Sequence, residues 1–405
     1  MKHKVALNLN RCLGGDWFRR FFSIAVFLPL ALSQTPPDST ASGTLRDSLS
    51  VQASRNAAVA ARGKKAWYAP RWDLSDLPHY VPGGKVSGKL RIWGNNYIAD
   101  GKLADYWKDG FRRFHPDVEF EYYLPSSAVG LASLTCGVSD LGMSRNATFL
   151  ELLGFQRLYQ HDPIEIAAVT GAFDVPGWSC AYAIFVNKAN PLENLSMAQL
   201  DGIFGSQRAG GWVGTEWHPE FARGADKNIR TWGQLGLKGE WADKPIHVYA
   251  VSMRYNSTTI FSDLVLKSSD QYNENIICHA NYANPDGSLN VWFDQMKEEL
   301  DHDLYGINFS FYNALTPKTK VVAIQGEHGG AYVPINIDTI HDLSYPLACH
   351  QFFYANRDPA KPLDPKVKEF LRYVLSQEGQ TEVQRDGKYL PLTLPLINEQ
   401  LKKLN

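Results

Sequence analysis

Three short polar stretches in this chain have residue types and positions that suit the binding of an anion. Each one follows an apolar run: Gly94-Asn95-Asn96-Tyr97, Pro125-Ser126-Ser127 and Arg254-Tyr255-Asn256-Ser257-Thr258. The first backbone N–H groups of a helix have no partner inside the helix, and the helix dipole adds partial positive charge at that end. Helix starts with small polar residues can therefore surround an anion, and the Arg254 side chain would add a full positive charge.

The same stretches also have a purely structural interpretation. Ser, Thr and Asn are the preferred N-caps of helices, so one such turn on its own more often caps a helix than binds a ligand. No Glu or Gln stands three residues after Asn256, Ser257 or Thr258, so the reciprocal capping box is missing there. Arg254 could equally be exposed or paired with a carboxylate. The stretches alone leave both interpretations open.

The elements that would position these turns alternate between strands and helices. Alternation with short connections predicts an α/β protein whose sheets are covered by helices on both faces. Ligands of open α/β sheets bind beyond the carboxyl ends of the strands, which is where the three turns would lie. Strand patterns occur over 88–94, 118–124, 165–173, 180–187 and 246–252, and helix patterns over 103–116, 128–137, 196–205, 258–267 and from about Pro365 onward.

Sequence motifs for catalysis or metal binding are missing. The chain contains no GxSxG, HExxH or GxxxxGK[ST] motif. Its 11 histidines are dispersed, and residues 301–306 (DHDLYG) lack the carboxylates of a calcium loop. We therefore predict no catalytic residues, no metal, no cofactor and no enzymatic activity.

Composition limits the partners and indicates two folded units. The 405 residues, 44% apolar and 12% aromatic, can fill two cores. The formal net charge is −1, and the chain has no basic block of the kind that nucleic acid requires. We predict no nucleic-acid partner.

The N-terminus has the features of a secretory signal. Five basic residues precede the apolar run FFSIAVFLPLAL at 21–32, and Ser33 follows it. We predict a signal peptide at 1–33, cleaved near Ser33, and a periplasmic or other extracytoplasmic location; export by the Sec and the twin-arginine route both fit, and an uncleaved anchor is the alternative. Removing 1–33 leaves 36 basic against 41 acidic residues, a net charge of −5. An anion site must then be local.

Two segments depart from the α/β alternation. Residues 34–87 begin rich in Ser, Ala, Thr and Pro and become aromatic after 66, which predicts a flexible tether followed by an irregular arm. Residues 206–241 are rich in Gly, Trp, Arg and Asp, which predicts an ordered insertion. The cysteines beyond the signal permit one or two disulfides in three pairings, between which the sequence cannot choose: Cys136, Cys180, Cys278 and Cys349.

Four longer motifs resemble those of a known family. They are FLRYVLSQEGQTEVQRDGKYLPL at 370–392, with Glu-Gly-Gln and a Tyr-x-Pro-Leu ending, LSMAQLDGIFG at 195–205, GVSDLGMSRN at 137–146 and CAYAIFVNKANPLENLS at 180–196. They are similar to motifs of the phosphate-specific substrate-binding proteins of ABC transporters, which belong to the type II periplasmic-binding-protein superfamily. The resemblance runs from about residue 88 to 405 and is strongest in the order of the elements.

The resemblance implies a fold class and a function. The fold would be α/β with two lobes, each a mixed, mostly parallel sheet flanked by helices, joined by two crossing hinge segments. Residues 88–180 plus 345–405 would form lobe I, and residues 181–344 would form lobe II with the insertion at 206–241. A monomer would close on phosphate and deliver it to an ABC transporter permease in the membrane. A binder of sulfate or of a small phosphorylated compound is the alternative, followed by an exported hydrolase and by a structural or adhesive surface protein.

The family's oxyanion-binding residues carry over to ten positions with two departures. An Asp of the family falls on Arg145, and its Ser-Gly-Thr has become Asn-Ser-Thr. A carboxylate accepts a hydrogen bond from hydrogen phosphate and repels an anion without a proton, whereas an arginine favours the more highly charged anion. Which oxyanion binds is therefore open, and Arg145 could also be a surface residue beside a misaligned motif. The ten positions are Asn96, Tyr97, Ser126, Ser127, Ser144, Arg145, Arg254, Asn256, Ser257 and Thr258.

Two cysteines lie in candidate strands at the implied lobe crossings. If the strands around Cys180 and Cys349 are neighbours, a disulfide between the two residues would stiffen the hinge. Two buried thiols are the alternative.

Overall fold

The fold is taken from a computed structural model that describes residue 63 and residues 67–179, 181–286 and 288–404. These residues belong to one unit that runs from 47 to 405. The predicted signal peptide, most of the predicted tether and Cys180 lie outside the described residues, so the predictions for them stay predictions.

Two five-stranded sheets dominate the described residues. The first sheet has the order β2-β1-β3-β17-β4 and the second has the order β10-β9-β13-β5-β14; three smaller sheets contain β16-β15-β6, β7-β8 and β11-β12. The strands are β1 (Gly88–Gly94), β2 (Val118–Tyr123), β3 (Leu141–Ser144), β4 (Ile164–Thr170), β5 (Tyr182–Asn187), β6 (Asn194–Ser196), β7 (Gly211–Val213), β8 (Glu216–His218), β9 (His247–Val251), β10 (Ile277–His279), β11 (Tyr282–Ala283), β12 (Leu289–Asn290), β13 (Gly306–Phe311), β14 (Thr319–Val321), β15 (Ala323–Gln325), β16 (Tyr332–Val333) and β17 (His350–Ala355).

The two large sheets repeat one pairing pattern. In the first sheet β1 pairs in parallel with β2 and β3, and β17 then pairs antiparallel with β3 and β4. In the second sheet β9 pairs in parallel with β10 and β13, and β5 then pairs antiparallel with β13 and β14. Parallel neighbours end at the same edge of a sheet. Each sheet therefore brings the carboxyl ends of three strands to one edge.

Helices cover these sheets. Ser196 caps its helix through a reciprocal box with Gln199, as the sequence predicts. The predicted helix 128–137 is a 3₁₀ turn, Ser127–Val129, followed by a shorter helix. The helices are α1 (Tyr97–Asp100), α2 (Leu103–Arg112), α3 (Gly130–Thr135), α4 (Phe149–Tyr159), α5 (Met197–Phe204), α6 (Asn256–Val265), α7 (Trp292–His302), α8 (Ile337–His341), α9 (Pro365–Val374), α10 (Gln377–Asp386) and α11 (Leu394–Lys403).

Two main hydrophobic cores lie around the two large sheets. The chain changes from one core to the other between Trp178 and Ala181, and again between Cys349 and Phe353. Fully buried aromatic side chains contribute to both cores because they remove the largest apolar area from water. The first core includes Ile92, Trp107, Phe111, Phe353, Phe370 and Tyr389, and the second includes Phe185, Phe204, Trp232, Phe261, Phe309 and Tyr345.

The arm before β1 packs on both cores. Tyr68 donates a hydrogen bond from its hydroxyl to Asp174 Oδ1 at 2.7 Å. The Trp72 ring stacks on His341 of α8 with 4.5 Å between ring centroids, and Arg71 forms an ion pair with Asp338 of the same helix at 2.8 Å. The described part of the arm therefore bridges the two cores.

The aromatic-rich segment 206–241 contains β7, β8 and four 3₁₀ turns. Trp232 is fully buried in the second core, with Trp241 packed against that core. Trp212 instead stacks on Phe149 at the start of α4, with 4.5 Å between ring centroids. None of the helices in the described ranges is both long and apolar enough to cross a bilayer.

Candidate functional site

Three loops meet at the carboxyl edge of the first sheet and hydrogen-bond to one another. The Asn95 N–H donates to the carbonyl of Met143 at 2.8 Å, and the Ser126 N–H donates to the carbonyl of Gly94 at 3.1 Å. The Ser144 hydroxyl donates to the carbonyl of Ser127 at 3.0 Å. The loops after β1, β2 and β3 are therefore tied into one unit.

Glycines make this close approach possible. Gly94 has φ of +135°, and a Cβ atom built there would lie 1.9 Å from the carbonyl oxygen of Met143. A Cβ on Gly130 would lie 2.8 Å from the same oxygen. Any larger residue at Gly94 must therefore push the loops after β1 and β3 apart.

The two serines after β2 have different environments. Ser126 is exposed and caps the 3₁₀ turn, because its side chain accepts a hydrogen bond from the Ala128 N–H at 3.3 Å. Ser127 is buried and sits under the loop, with its carbonyl bound by Ser144. Ser144 is buried as well, at 4% exposure, and its hydroxyl is used within the loops.

Asn96 and Tyr97 begin α1. The Asn96 amide donates to Asp100 Oδ2 at 2.6 Å, so this side chain binds within its own helix. The Tyr97 ring packs against Trp178 with 4.9 Å between centroids, and the Trp178 indole N–H donates to the Tyr97 carbonyl at 3.1 Å. Asn95, which we did not include among the site residues, is more buried than either and accepts from the Tyr97 N–H at 2.9 Å.

Arg145 directly follows β3 and is half-buried. The Tyr354 hydroxyl donates its one hydrogen to Glu165 Oε2 at 2.6 Å, lies 3.1 Å from the Arg145 carbonyl oxygen, and accepts from the Ala147 N–H at 2.9 Å. Burial raises the pKa of the Glu165 carboxyl above its ordinary value. The backbone after β3 is thus held by a buried tyrosine from β17.

The carboxyl edge of the second sheet carries the arginine turn. Arg254 is exposed, its guanidinium lies 5.5 Å from the centroid of the Tyr255 ring, and one of its N–H groups contacts the carbonyl of Asn281 at 3.4 Å. The Tyr255 hydroxyl accepts from the Asn281 N–H at 3.2 Å. The Ser252 N–H donates to the carbonyl of His279 at 2.7 Å, which ties the loop after β9 to the loop after β10.

The helix after this turn begins earlier than the sequence predicts. The α6 helix starts at Asn256, and its N-cap is Tyr255, whose side chain makes no capping hydrogen bond. Thr258 is 1% exposed and donates its hydroxyl to the carbonyl of Tyr255 at 2.7 Å. Asn256 and Ser257 are partly exposed in the first turn of the helix. Asn256, Ser257 and Thr258 therefore do not cap this helix with their side chains.

Comparison with known proteins identifies the family. Residues 83–378 match the family model described as the PBP superfamily domain. This chain belongs to that family. It is 32% identical to the phosphate-binding protein PstS of Pseudomonas aeruginosa over 329 residues, which cover 81% of this chain and 90% of the relative. It is 24% identical to the protein SphX of Synechococcus elongatus over 215 residues, or 52% of this chain and 53% of SphX.

Solved structures of PBP-superfamily proteins can also be superposed on the chain. An ABC-type phosphate transport receptor from Vibrio cholerae has a TM-score of 0.45 and 20% identity, covering 74% of this chain and 99% of the receptor. PstS from Borrelia burgdorferi has a TM-score of 0.46 and 15% identity, covering 76% of this chain and all of that chain.

The predicted family and fold class of this PBP-superfamily protein are confirmed by the family match and by its two mixed sheets. The lobe boundaries and the ten predicted site residues stay predictions. These residues differ in surroundings: the six before residue 150 lie in or beside the tied loops of the first sheet, and the other four lie on the turn after β9 and in the first turn of α6.

Side chains that sequence reasoning missed lie beneath the first-sheet loops. Asn95 donates from Nδ2 to Gln351 Oε1 at 2.8 Å and to the Tyr389 hydroxyl at 3.0 Å. Gln351 and Tyr389 are separated from Asn95 by more than 250 residues, so no local pattern could have associated them. The Tyr-x-Pro-Leu ending was the one available signal, since it contains Tyr389.

The described residues contain no group of three or more His, Cys, Asp or Glu side chains arranged to hold a metal ion. Cys136 and Cys278 are unbridged and exposed. Pairing of Cys349 with Cys180 stays a prediction, because Cys180 is outside the described residues.

Proposed function

We propose that this PBP-superfamily protein captures an inorganic oxyanion, most simply phosphate, between the carboxyl edges of its two large sheets. The observation that carries the proposal is that each sheet brings the carboxyl ends of three parallel strands to one edge, with an arginine within three residues of the end of one of these strands. Arg145 follows β3 of the first sheet and Arg254 lies in the turn after β9 of the second. The match to PstS of Pseudomonas aeruginosa, a phosphate-binding protein, supports phosphate as the anion.

The chemistry of these groups suits a small oxyanion. Backbone N–H groups at helix starts and serine hydroxyls donate hydrogen bonds, and the two guanidinium groups add charge-assisted bonds with a planar, two-pronged geometry. The ten predicted residues would share the anion between both sheets. Closing of the sheets around the anion would remove it from water and strengthen each of these bonds.

The transport role extends this proposal. The relative from Pseudomonas aeruginosa is a phosphate-binding protein. By analogy, the protein would be exported through its N-terminal signal and would act as a monomer that delivers its anion to an ABC transporter permease. It would act as a receptor and not as an enzyme.

A second candidate anion follows from one position. Arg145 occupies the place where the resemblance implies a carboxylate, and an arginine there favours an anion that carries no proton. Sulfate, or a small phosphorylated compound, is therefore the competing ligand for the same site.

Titration calorimetry of the protein without residues 1–33 tests these proposals. We expect heat on addition of phosphate, with affinity that rises from pH 5 to pH 8 as dihydrogen phosphate loses a proton and becomes the doubly charged hydrogen phosphate. Sulfate, which is fully ionised across this range, is the matched control and should bind with affinity that changes little. Lack of heat with phosphate, sulfate and pyrophosphate would rule out the oxyanion function. If sulfate binds more tightly than phosphate, sulfate and not phosphate is the ligand.

A further inference from the structure

The loop after β1 is hydrogen-bonded to three segments in which the described chain passes between the two cores. Trp178 in the first crossing, Gln351 in the second and Tyr389 in the C-terminal segment all contact it. The loop itself consists of Asn95, Asn96 and Tyr97 and joins β1 to α1. This arrangement links the proposed anion site to the hinge.

Asn95 is the centre of this network. It is 1% exposed, and all three of its described side-chain bonds have good geometry. Its Oδ1 accepts from the Tyr97 N–H at 2.9 Å, which turns the loop, while its Nδ2 donates to Gln351 and to Tyr389. Both amide protons are therefore used below the loop, and the amide oxygen is used inside it.

The partners of Asn95 lie where the cores change. Gln351 is the second residue after Cys349, which belongs to the second core, and the second residue before Phe353, which belongs to the first. Tyr389 belongs to the first core, and the next residue, Leu390, belongs to the second. Any rotation of one core against the other must act on these two positions.

Gln351 and Tyr389 are themselves firmly held in place. They are 6% and 2% exposed, and the Thr170 and Leu390 backbones exchange two hydrogen bonds next to Tyr389 at 3.0 and 3.1 Å. Buried polar groups of this kind are costly to leave without a hydrogen-bond partner. A movement of Gln351 or Tyr389 with the hinge would therefore move Asn95 as well, because its hydrogen bonds to them would be kept.

We propose that Gln351 and Tyr389 are positioning residues that act through Asn95 to set the anion-binding loop according to the hinge, so that loop geometry and closure of the two sheets are coupled. The inference rests on the proposed oxyanion function and adds to it the groups that transmit closure. Neither side chain would touch the anion. Their loss would weaken phosphate binding although the anion-contacting residues are intact.

The test uses the protein without residues 1–33, inorganic phosphate as the probe, and two pairs of variants. Tyr389→Phe removes one buried hydroxyl beneath the loop, and Tyr345→Phe removes an equally buried hydroxyl that donates to the carbonyl of Tyr182 at 2.8 Å, away from the loop. We expect Tyr389→Phe to weaken phosphate binding by about tenfold, since one hydrogen bond to a buried partner is lost, and Tyr345→Phe to change it by less than about twofold.

The second pair of variants, both at Gln351, distinguishes positioning of the loop from a general loss of stability. Gln351→Met removes the acceptor for Asn95 with little change in volume, and Gln351→Glu at pH 5 restores an oxygen at the same reach. Rescue by Gln351→Glu to within about threefold of the unaltered protein, with similar melting temperatures for both variants, would support positioning. The melting temperature of each variant shows whether a loss of binding is due to a loss of folding.

The outcomes separate the inference from the function on which it rests. If the unaltered protein binds phosphate and both Tyr389→Phe and Gln351→Met bind it within about twofold, the coupling is wrong and the function stands. If the unaltered protein binds none of phosphate, sulfate and pyrophosphate, both are overturned. If Gln351→Met does not fold, the two tyrosine variants decide the matter.

Discussion

The two halves of the candidate site differ in how firmly they are built. On the first sheet, three loops share backbone and side-chain hydrogen bonds, and glycines allow them to touch. On the second sheet, the turn before α6 presents an exposed Arg254, and the helix start has no side-chain cap. The half of the site on the first sheet is therefore preassembled, and the half on the second sheet is adjustable.

This difference indicates a division of labour. A preassembled half costs little to order when the anion arrives, which favours affinity and selectivity. If Arg254 binds the anion as proposed, this long, exposed side chain would form its bond as the sheets close. We expect changes in the first half to affect folding as well as binding, and changes to the arginine to affect binding alone.

The largest effect should come from filling the space between the first-sheet loops. Gly94→Ala places a Cβ 1.9 Å from a backbone oxygen at a φ of +135°, so we expect a loss of at least about 3 kcal/mol in the free energy of unfolding. Urea denaturation measures it. Gly84→Ala is the matched control, since nothing lies within 4 Å of its Cβ, and it should lose less than about 0.5 kcal/mol. Equal losses in the two variants would contradict a preassembled first half.

In the adjustable half, the carboxylate of Asp263 should destabilise the fold, and its substitution should therefore stabilise the protein. Burial raises the pKa of Asp263, near the C-terminal end of α6, to about 7. The folded pKa thus exceeds the unfolded one of 3.8, so the carboxyl costs nothing when protonated and destabilises increasingly as pH rises from about 4 to 7. Its position at the negative end of the helix dipole adds to this effect.

We therefore expect Asp263→Asn to stabilise the protein by about 2 kcal/mol at pH 8 and by much less at pH 4. Thermal unfolding at the two pH values checks this. Asp243→Asn, at an exposed carboxyl, is the control and should leave stability almost unchanged at both. A gain that is the same at pH 4 and pH 8 would show that the charge is not responsible.

Removal of the second-sheet arginine tests the division of labour directly. Arg254→Ala should weaken phosphate binding by about 1.5 kcal/mol or more, because a charge-assisted hydrogen bond is lost, and should leave the free energy of unfolding within about 0.5 kcal/mol. Calorimetry and urea denaturation provide the two numbers. Arg71→Ala, at another exposed arginine, should not change binding. Unchanged affinity of Arg254→Ala would place Arg254 outside the site.

The smallest effect should come from the exposed ion pair between the arm and α8. Arg71 and Asp338 keep 44% and 63% of their side-chain surface exposed, so a double-mutant cycle should give a coupling of about 0.5 kcal/mol or less, reduced further by salt. The neighbouring residue, Trp72, stacks on His341 of the same helix. A coupling above about 1 kcal/mol would mean that the arm restrains the two halves electrostatically.

Local patterns predicted much of the fold. Period-2 and period-3.6 patterns depend on residues near one another, and they placed β1, β2, β9, α2, α5 and α9 close to their observed bounds. The patterns did not predict the start of α6. The Ser and Thr residues of this turn suggested side-chain caps, yet Tyr255 occupies the N-cap position and the Thr258 hydroxyl donates to the Tyr255 carbonyl. Local patterns leave such alternatives open, and tertiary contacts decide between them.

The sequence by itself determined the order of the elements, the three polar turns, the arginine before α6 and the family, because each of these is written in contiguous residues. Only the tertiary structure decided that Ser127 and Ser144 face inward and that Asn95 is held by Gln351 and Tyr389. Those contacts join residues more than 250 positions apart, and their geometry depends on how β17 and the C-terminal segment pack beneath the first-sheet loops. A one-dimensional pattern carries no information about which distant side chain will meet a buried amide.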